Sequence, residues 1–209
     1  DGGGPEGRTF LWFSELHMGG PRGSGGPVSR RSADNVGSTH RGRTVAKLMS
    51  TAELPQVPED LAWPVILGID PGTKIMGYGA VIHHADGPRM LAAGAIRGGS
   101  SKDVPTRLGT IRRELDVLMG RLRPSVVVVE HAFTAINMQS ALRVGEGRGV
   151  VLSAAVVHGA EVVQYQASEA KKSVVGDGQA KKERVAAMVA AELGLEVVPE
   201  PIDATDALA

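Results

Sequence analysis

The sequence predicts an α/β protein built on a mixed five-stranded sheet with helices packed against it. Three observations carry that prediction. Short apolar, β-branched runs recur between Gly and Pro breaks; other stretches repeat their apolar residues at helical spacing; and short turns join the first three strands while helices separate the later ones. Short turns suit an antiparallel meander.

Val65–Asp70 reads as a first strand, buried on both faces and closed by an acid before Pro71-Gly72. Gly77–His84 is expected as a second strand and Met90–Arg97 as a third, with a Gly-Pro turn in the Ala85–Arg89 connection. Asp103 and Pro105 suit a helix start. Leu108, Ile111, Leu115, Leu118 and Leu122 follow at helical spacing, with a solvated charged face between them. Pro124 ends that helix, and Ser125–Glu130 follows as a strand of four valines closed by a second acid. A second long helix is expected over Asn137–His158, with a stripe of Met138, Ala141, Leu142, Gly145, Gly149, Leu152 and Val156. Each helical glycine costs about 1 kcal/mol relative to alanine, so close packing of another backbone should compensate. Either the chain's own sheet or a second subunit could supply it. Val162–Tyr165 is a fifth strand. Ser168–Val175 and a Gly176-Asp177-Gly178 break follow, then a helix from about Gln179 to Leu193, and Pro199–Ala209 reads as a loop entering a helix.

The bulk composition narrows the class. The 209 residues can hold one ordinary domain with an appendage, and with 42% hydrophobic and 22% charged residues they can bury a core. Lacking an apolar run near the roughly 20 residues of a membrane span, the chain reads as soluble, with no membrane partner. Its formal net charge of zero gives no global argument for nucleic acid, although an acidic site and a basic groove cancel in such a sum. Cysteine is absent, so disulfides and thiolate metal sites are excluded and a reducing cytoplasm is permitted. Residues 1–63 are expected to form a mostly disordered Gly/Arg-rich extension, broken by the apolar Phe10-Leu11-Trp12-Phe13, and residues 64–209 the folded domain. Met49 opens a short polar lead into the first strand and is a candidate start.

Four carboxylates then stand out. Asp70 and Glu130 end strands, and Asp203 and Asp206 share one helical face at i, i+3. Each has an ordinary reading as well: turn chemistry for Asp70, emergence into solvent for Glu130, helix capping for the aspartate pair. If the first and fourth strands are neighbours, Asp70 and Glu130 meet. Such a set is mutually repulsive without a cation, and its oxygen-only ligands suit Mg²⁺ or Mn²⁺ rather than zinc. Two such ions, about 4 Å apart, support metal-assisted phosphodiester hydrolysis. Lys171, Lys172, Lys181 and Lys182 flank the Gly176-Asp177-Gly178 break, as either a solvated face or a phosphate-binding one.

Over residues 65–209 the chain resembles RuvC, the bacterial Holliday-junction resolvase family. The carriers are Leu67-Gly68-Ile69-Asp70-Pro71-Gly72 with Gly77-Tyr78-Gly79; Glu130 followed by Phe133 and Asn137; Ser140-Ala141-Leu142 with Gly145, Arg148 and Gly149; Val174-Val175-Gly176 with Gly178, Ala180 and Lys182; and Asp203–Ala209. The resemblance implies a ribonuclease-H-like fold and a homodimer that nicks two opposed strands of a four-way DNA junction, in recombination and repair. It also implies Asp70, Glu130, Asp203 and Asp206 as catalytic Mg²⁺ ligands, Lys171 and Lys182 as DNA contacts, and Phe133 as an aromatic stacked on a base. A branch-migration complex of RuvA and RuvB is the implied partner, and the cytoplasm the implied location. Independently of the resemblance, one aromatic can stabilise an unstacked base by about 1–3 kcal/mol, while a core role is the plain reading of Phe133. The family has no counterpart of residues 1–48 and continues its last helix past the final aspartate, so that helix is expected to be truncated at Ala209. Rival readings are a YqgF-like nuclease of the same fold and a junction-binding module without catalysis. The Asp-Pro-Gly-Thr turn also resembles that of actin-like ATPases, whose second nucleotide-binding half residues 65–209 leave no room for.

Overall fold

A computed structural model describes residues 51–209 apart from 86, 132–137 and 197–206. Residues 1–50, with the Phe10–Phe13 run and Met49, lie outside the described residues.

The strands are β1 (Val65–Asp70), β2 (Ile75–His84), β3 (Gly87–Arg97), β4 (Val126–Glu130) and β5 (Glu161–Tyr165), in the spatial order β3-β2-β1-β4-β5. β1 pairs antiparallel with β2, and β2 with β3, as the short turns require. β4 joins the other side of β1 in parallel, and β5 joins β4 in parallel. The sheet is therefore mixed, with β1 at its centre. The turn after β2 is tighter than expected. β3 starts at Gly87, whose φ of 117° glycine adopts without strain, and Pro88 already pairs with His83. Proline is tolerated there because β3 is an edge strand, where its missing N–H breaks no ladder.

The helices are α1 (Val104–Leu122), α2 (Met138–Val157), α3 (Ala167–Val175) and α4 (Lys182–Glu192). Asp103 caps α1 by accepting from the Thr106 N–H at 2.9 Å, with Pro105 in the first turn. Alternation along the strands sends Val65, Leu67 and Ile69 of β1 and Val127 and Val129 of β4 into one core, where Ile111, Leu115 and Leu118 of α1 and Val151 of α2 meet them. Tyr78, paired with Ile69, faces the same core; burial, helped by the charge of Glu53, pushes its hydroxyl up to about 12. A smaller cluster joins Ala180, Val185 and Val189 to Val174, Leu193 and Leu208.

Most of the stripe on α2, whose partner the sequence leaves open, does not face the chain's own sheet: Met138, Leu142 and Val156 are 80%, 62% and 68% exposed, while Leu152 packs against the core beside the buried Gly147, Val151, Ala154 and Ala155. The glycine needed for close packing is Gly147, where an added Cβ would lie 3.0 Å from the Gly72 carbonyl oxygen; Gly145 and Gly149 face open space. Residues 51–63, expected to bury little, contribute Leu54 and Val57 to the core. Val57 donates to the Arg121 carbonyl at 2.9 Å and Arg121 to the Leu54 carbonyl at 3.0 Å, which ties this segment to the end of α1.

Candidate active site

Asp70 is the last residue of β1 and Glu130 the last of β4. The parallel register runs Ile66↔Val126, Leu67↔Val127, Gly68↔Val128, Ile69↔Val129, so the two acids stand level, one step beyond the last pair. Alternation puts both on the face opposite Leu67 and Ile69. Asp70 is half-buried and paired with Gly77; Glu130 is exposed and paired with Tyr165. The juxtaposition of β1 and β4 that the carboxylate reading required is thus present. Neighbouring parallel strands ending in acids present hard oxygen donors side by side, at the strand ends where open sheets bind ligands.

The same face carries a second feature. Gly68 and Gly79 are cross-strand partners on it, and the end of the chain lies against them. A Cβ on Gly68 would fall 1.8 Å from the Ala207 carbonyl oxygen, and one on Gly79 2.5 Å from Leu208 Cγ. Glycine in mid-strand weakens a sheet unless another backbone must come close, and here Ala207–Leu208 does. Asp203, Asp206 and Phe133 lie outside the described residues. Among the described residues no group of three or more His, Cys, Asp and Glu side chains is gathered as a metal cage.

Two arginines that the sequence reading gave no role brace these strand ends. Arg148 of α2 donates through Nε to the Glu130 carbonyl at 3.3 Å, and Arg107 of α1 donates through Nε to the Thr73 carbonyl at 3.0 Å. A signal for Arg107 existed: its spacing from Val104 and Ile111 puts it on the apolar face of α1. His131 is exposed and, through its backbone N–H to the Tyr165 carbonyl at 2.7 Å, extends the β4–β5 ladder.

Lys171 is half-buried on α3 and Lys182 is exposed at the first position of α4. The connection between these helices turns at Gly176, which caps α3 with φ 75°, and tightens at Gly178, where a Cβ would approach the Ser168 carbonyl to 2.9 Å. Lys172 and Lys181 sit beside them, so a basic turn stands next to exposed helix-start N–H groups, an arrangement suited to phosphate.

Residues 66–209 match the family model described as crossover junction endodeoxyribonuclease RuvC. A protein of that name from Moorella thermoacetica is 46% identical over 145 residues, covering 69% of this chain and 87% of the relative. One from Heliobacterium modesticaldum is 44% identical over 145 residues, covering 69% and 90%. Among solved structures, Thermus thermophilus RuvC aligns with a TM-score of 0.63 at 35% identity, over 69% of this chain and 89% of that one. T. thermophilus RuvC in complex with Holliday junction substrate aligns with a TM-score of 0.62 at 32% identity, over 69% and 88%. The yeast mitochondrial Holliday junction resolvase Ydc2, at 13% identity and a TM-score of 0.53, shares the fold.

Proposed function

The chain belongs to the RuvC family of crossover junction endodeoxyribonucleases, and from that premise we propose that it resolves four-way DNA junctions by metal-dependent nicking of two opposed strands. The observation that carries the reading is the level placement of Asp70 and Glu130 at the ends of neighbouring parallel strands. Contact of Ala207 with Gly68 on the same face supports delivery of Asp206, the residue before it, to these two acids.

In this reading Asp70, Glu130, Asp203 and Asp206 hold two Mg²⁺ ions, with Mn²⁺ as a substitute; all four offer only oxygen, the donor both ions prefer. Such ions, when bound, acidify a water and stabilise the leaving oxygen of an in-line displacement. The chain's own work is placement. The β1–β4 ladder fixes the spacing of Asp70 and Glu130, and Arg148 holds the Glu130 backbone. Lys171 and Lys182 supply phosphate affinity that carries no sequence information and weakens with salt, and Phe133 stacks on a base at the junction.

A junction has two-fold symmetry, and two sites in a C2 dimer match it. The exposed stripe of Met138, Leu142, Gly145, Gly149 and Val156 on α2 supports a homodimer built there, since its glycines let a second backbone approach. Work alongside the RuvA–RuvB complex in the cytoplasm completes the reading. No helix among the described residues is long and apolar enough to cross a membrane.

The test is a labelled four-way junction with Mg²⁺. Wild type should give paired symmetric nicks, and Asp70→Asn and Glu130→Gln should keep junction binding while losing cleavage by about 100-fold or more. Normal cleavage by Glu130→Gln overturns the ligand assignment. Preference for duplex or hybrid over the junction points instead to the YqgF-like activity.

A further inference from the structure

We propose that Arg107 is a positioning residue for metal binding at Asp70, acting through the carbonyl of Thr73; this rests on the reading of Asp70 as a metal ligand. Arg107 is 6% exposed, in the first turns of α1. Its Nε donates to the Thr73 carbonyl at 3.0 Å, and one terminal nitrogen donates to the Ser101 and Lys102 carbonyls at 2.8 and 2.9 Å. Its hydrogen bonds go to backbone carbonyls, with the Asp103 carboxylate, four residues earlier, as an electrostatic neighbour rather than a hydrogen-bond partner. A buried cation is a costly way to fill a position on an apolar helix face, where leucine or methionine would pack without desolvating a charge. The guanidinium is therefore there for what it holds.

What it holds is the loop that begins at Asp70. Thr73 is itself buried, at 8% exposure, and Asp70 is joined to it through Pro71 and Gly72. The same loop is gripped at two further points. Gly147 of α2 packs on the Gly72 backbone, and Gly98 donates to the Lys74 carbonyl at 2.9 Å and sits so close that a Cβ would lie 2.9 Å from the Thr73 oxygen. These contacts fix the backbone immediately after the acid, and only Arg107 does so with a directional charged donor, which also ties the loop to the segment preceding α1. A metal ligand must be held against its own rotation and against repulsion from neighbouring acids. Outer contacts of this kind typically change metal affinity by about 10–100-fold when removed.

The experiment compares wild type, Arg107→Met, Arg107→Lys and Asp70→Asn in the full chain. Mn²⁺ binding to junction-free protein is read by calorimetry, the Mg²⁺ requirement by the concentration giving half-maximal junction cleavage, and junction affinity is measured in EDTA. Arg107→Met should weaken Mn²⁺ binding and raise the Mg²⁺ requirement together, by about 10-fold or more, with junction affinity in EDTA unchanged. Arg107→Lys, which keeps the charge and loses the fork, should fall between. A folded Arg107→Met with wild-type metal constants overturns the proposal, as does a loss of cleavage without movement of either constant. Should Arg107→Met fail to fold, Arg107→Lys decides: wild-type metal constants in it overturn the proposal, and a shift in both supports it. Unchanged Mn²⁺ binding and cleavage in Asp70→Asn would show instead that Asp70 is not a ligand, a failure of the underlying reading that the arginine variants do not produce.

Discussion

At Asp116 an acid does purely structural work, in contrast to the two at the strand ends. Arg112, one turn earlier on α1, donates its Nε to both carboxylate oxygens at 3.0 Å, and His158, just past α2, lies 3.1 Å away, so the group clamps the two helices together. The Arg112 hydrogen bond holds the Asp116 carboxyl below its ordinary value against the opposing effect of burial, and a weaker contribution from His158 adds to the depression. A depressed folded-state pKa means that the stabilisation is present above the unfolded value of about 4 and lost as pH falls through the folded one. Because the Asp116 side chain is 41% exposed, solvent screens the pair and its worth is about 0.5 kcal/mol. Urea melts of Asp116→Asn should show that loss at pH 7 and a difference from wild type that shrinks as pH falls below the unfolded value of about 4. A gap that persists in acid would mean that packing, not charge, is what the substitution removes. Asp70 and Glu130 were legible as candidates because a carboxylate closing an apolar strand breaks a local pattern. Arg107 was not, because its partners are carbonyls of loops brought to it by the fold.

Among the elements, β1 was the most fully legible and the end of the chain the least. Alternating burial along Val65–Asp70 follows from period-two geometry, but the reason for glycine at its fourth position does not. That reason is Ala207, whose carbonyl oxygen occupies the place a side chain would take. Gly68→Ala should therefore leave the Leu67–Ile69 core face intact while displacing residues 207–209. Junction cleavage should fall by about 10-fold or more with a melting temperature within a few degrees of wild type, since misplacing reactive groups by an ångström can cost about 100-fold. Hydrogen exchange at Leu208 and Ala209 reads the displacement directly; unaltered cleavage would separate this contact from the site. On α2 the helical spacing was right, and the question left open was which partner the striped face meets. Periodicity reports that a face is apolar, and says nothing about which of two apolar faces the sheet takes.

For the whole molecule, the exposed α2 stripe makes assembly the natural test. Leu142→Glu, at a position 62% exposed in the single chain, should convert a sedimenting dimer into a monomer and turn paired nicks into independent ones. A dimer that survives the substitution would put the interface elsewhere. The sequence by itself determined the order of the five strands and of helices α1, α2 and α4, the antiparallel meander, the acids that end β1 and β4 and the basic α3–α4 turn. Each of these is written in neighbouring residues, through alternation, helical spacing, turn chemistry and capping. Only the tertiary structure decided that β4 lies beside β1 so that Asp70 and Glu130 stand level, that Gly147 and not Gly145 or Gly149 meets the Gly72 backbone, and that Arg107 holds the loop after Asp70. The physical reason is that these are contacts between segments distant along the chain, fixed by which apolar faces bury together and where backbones approach too closely for a side chain.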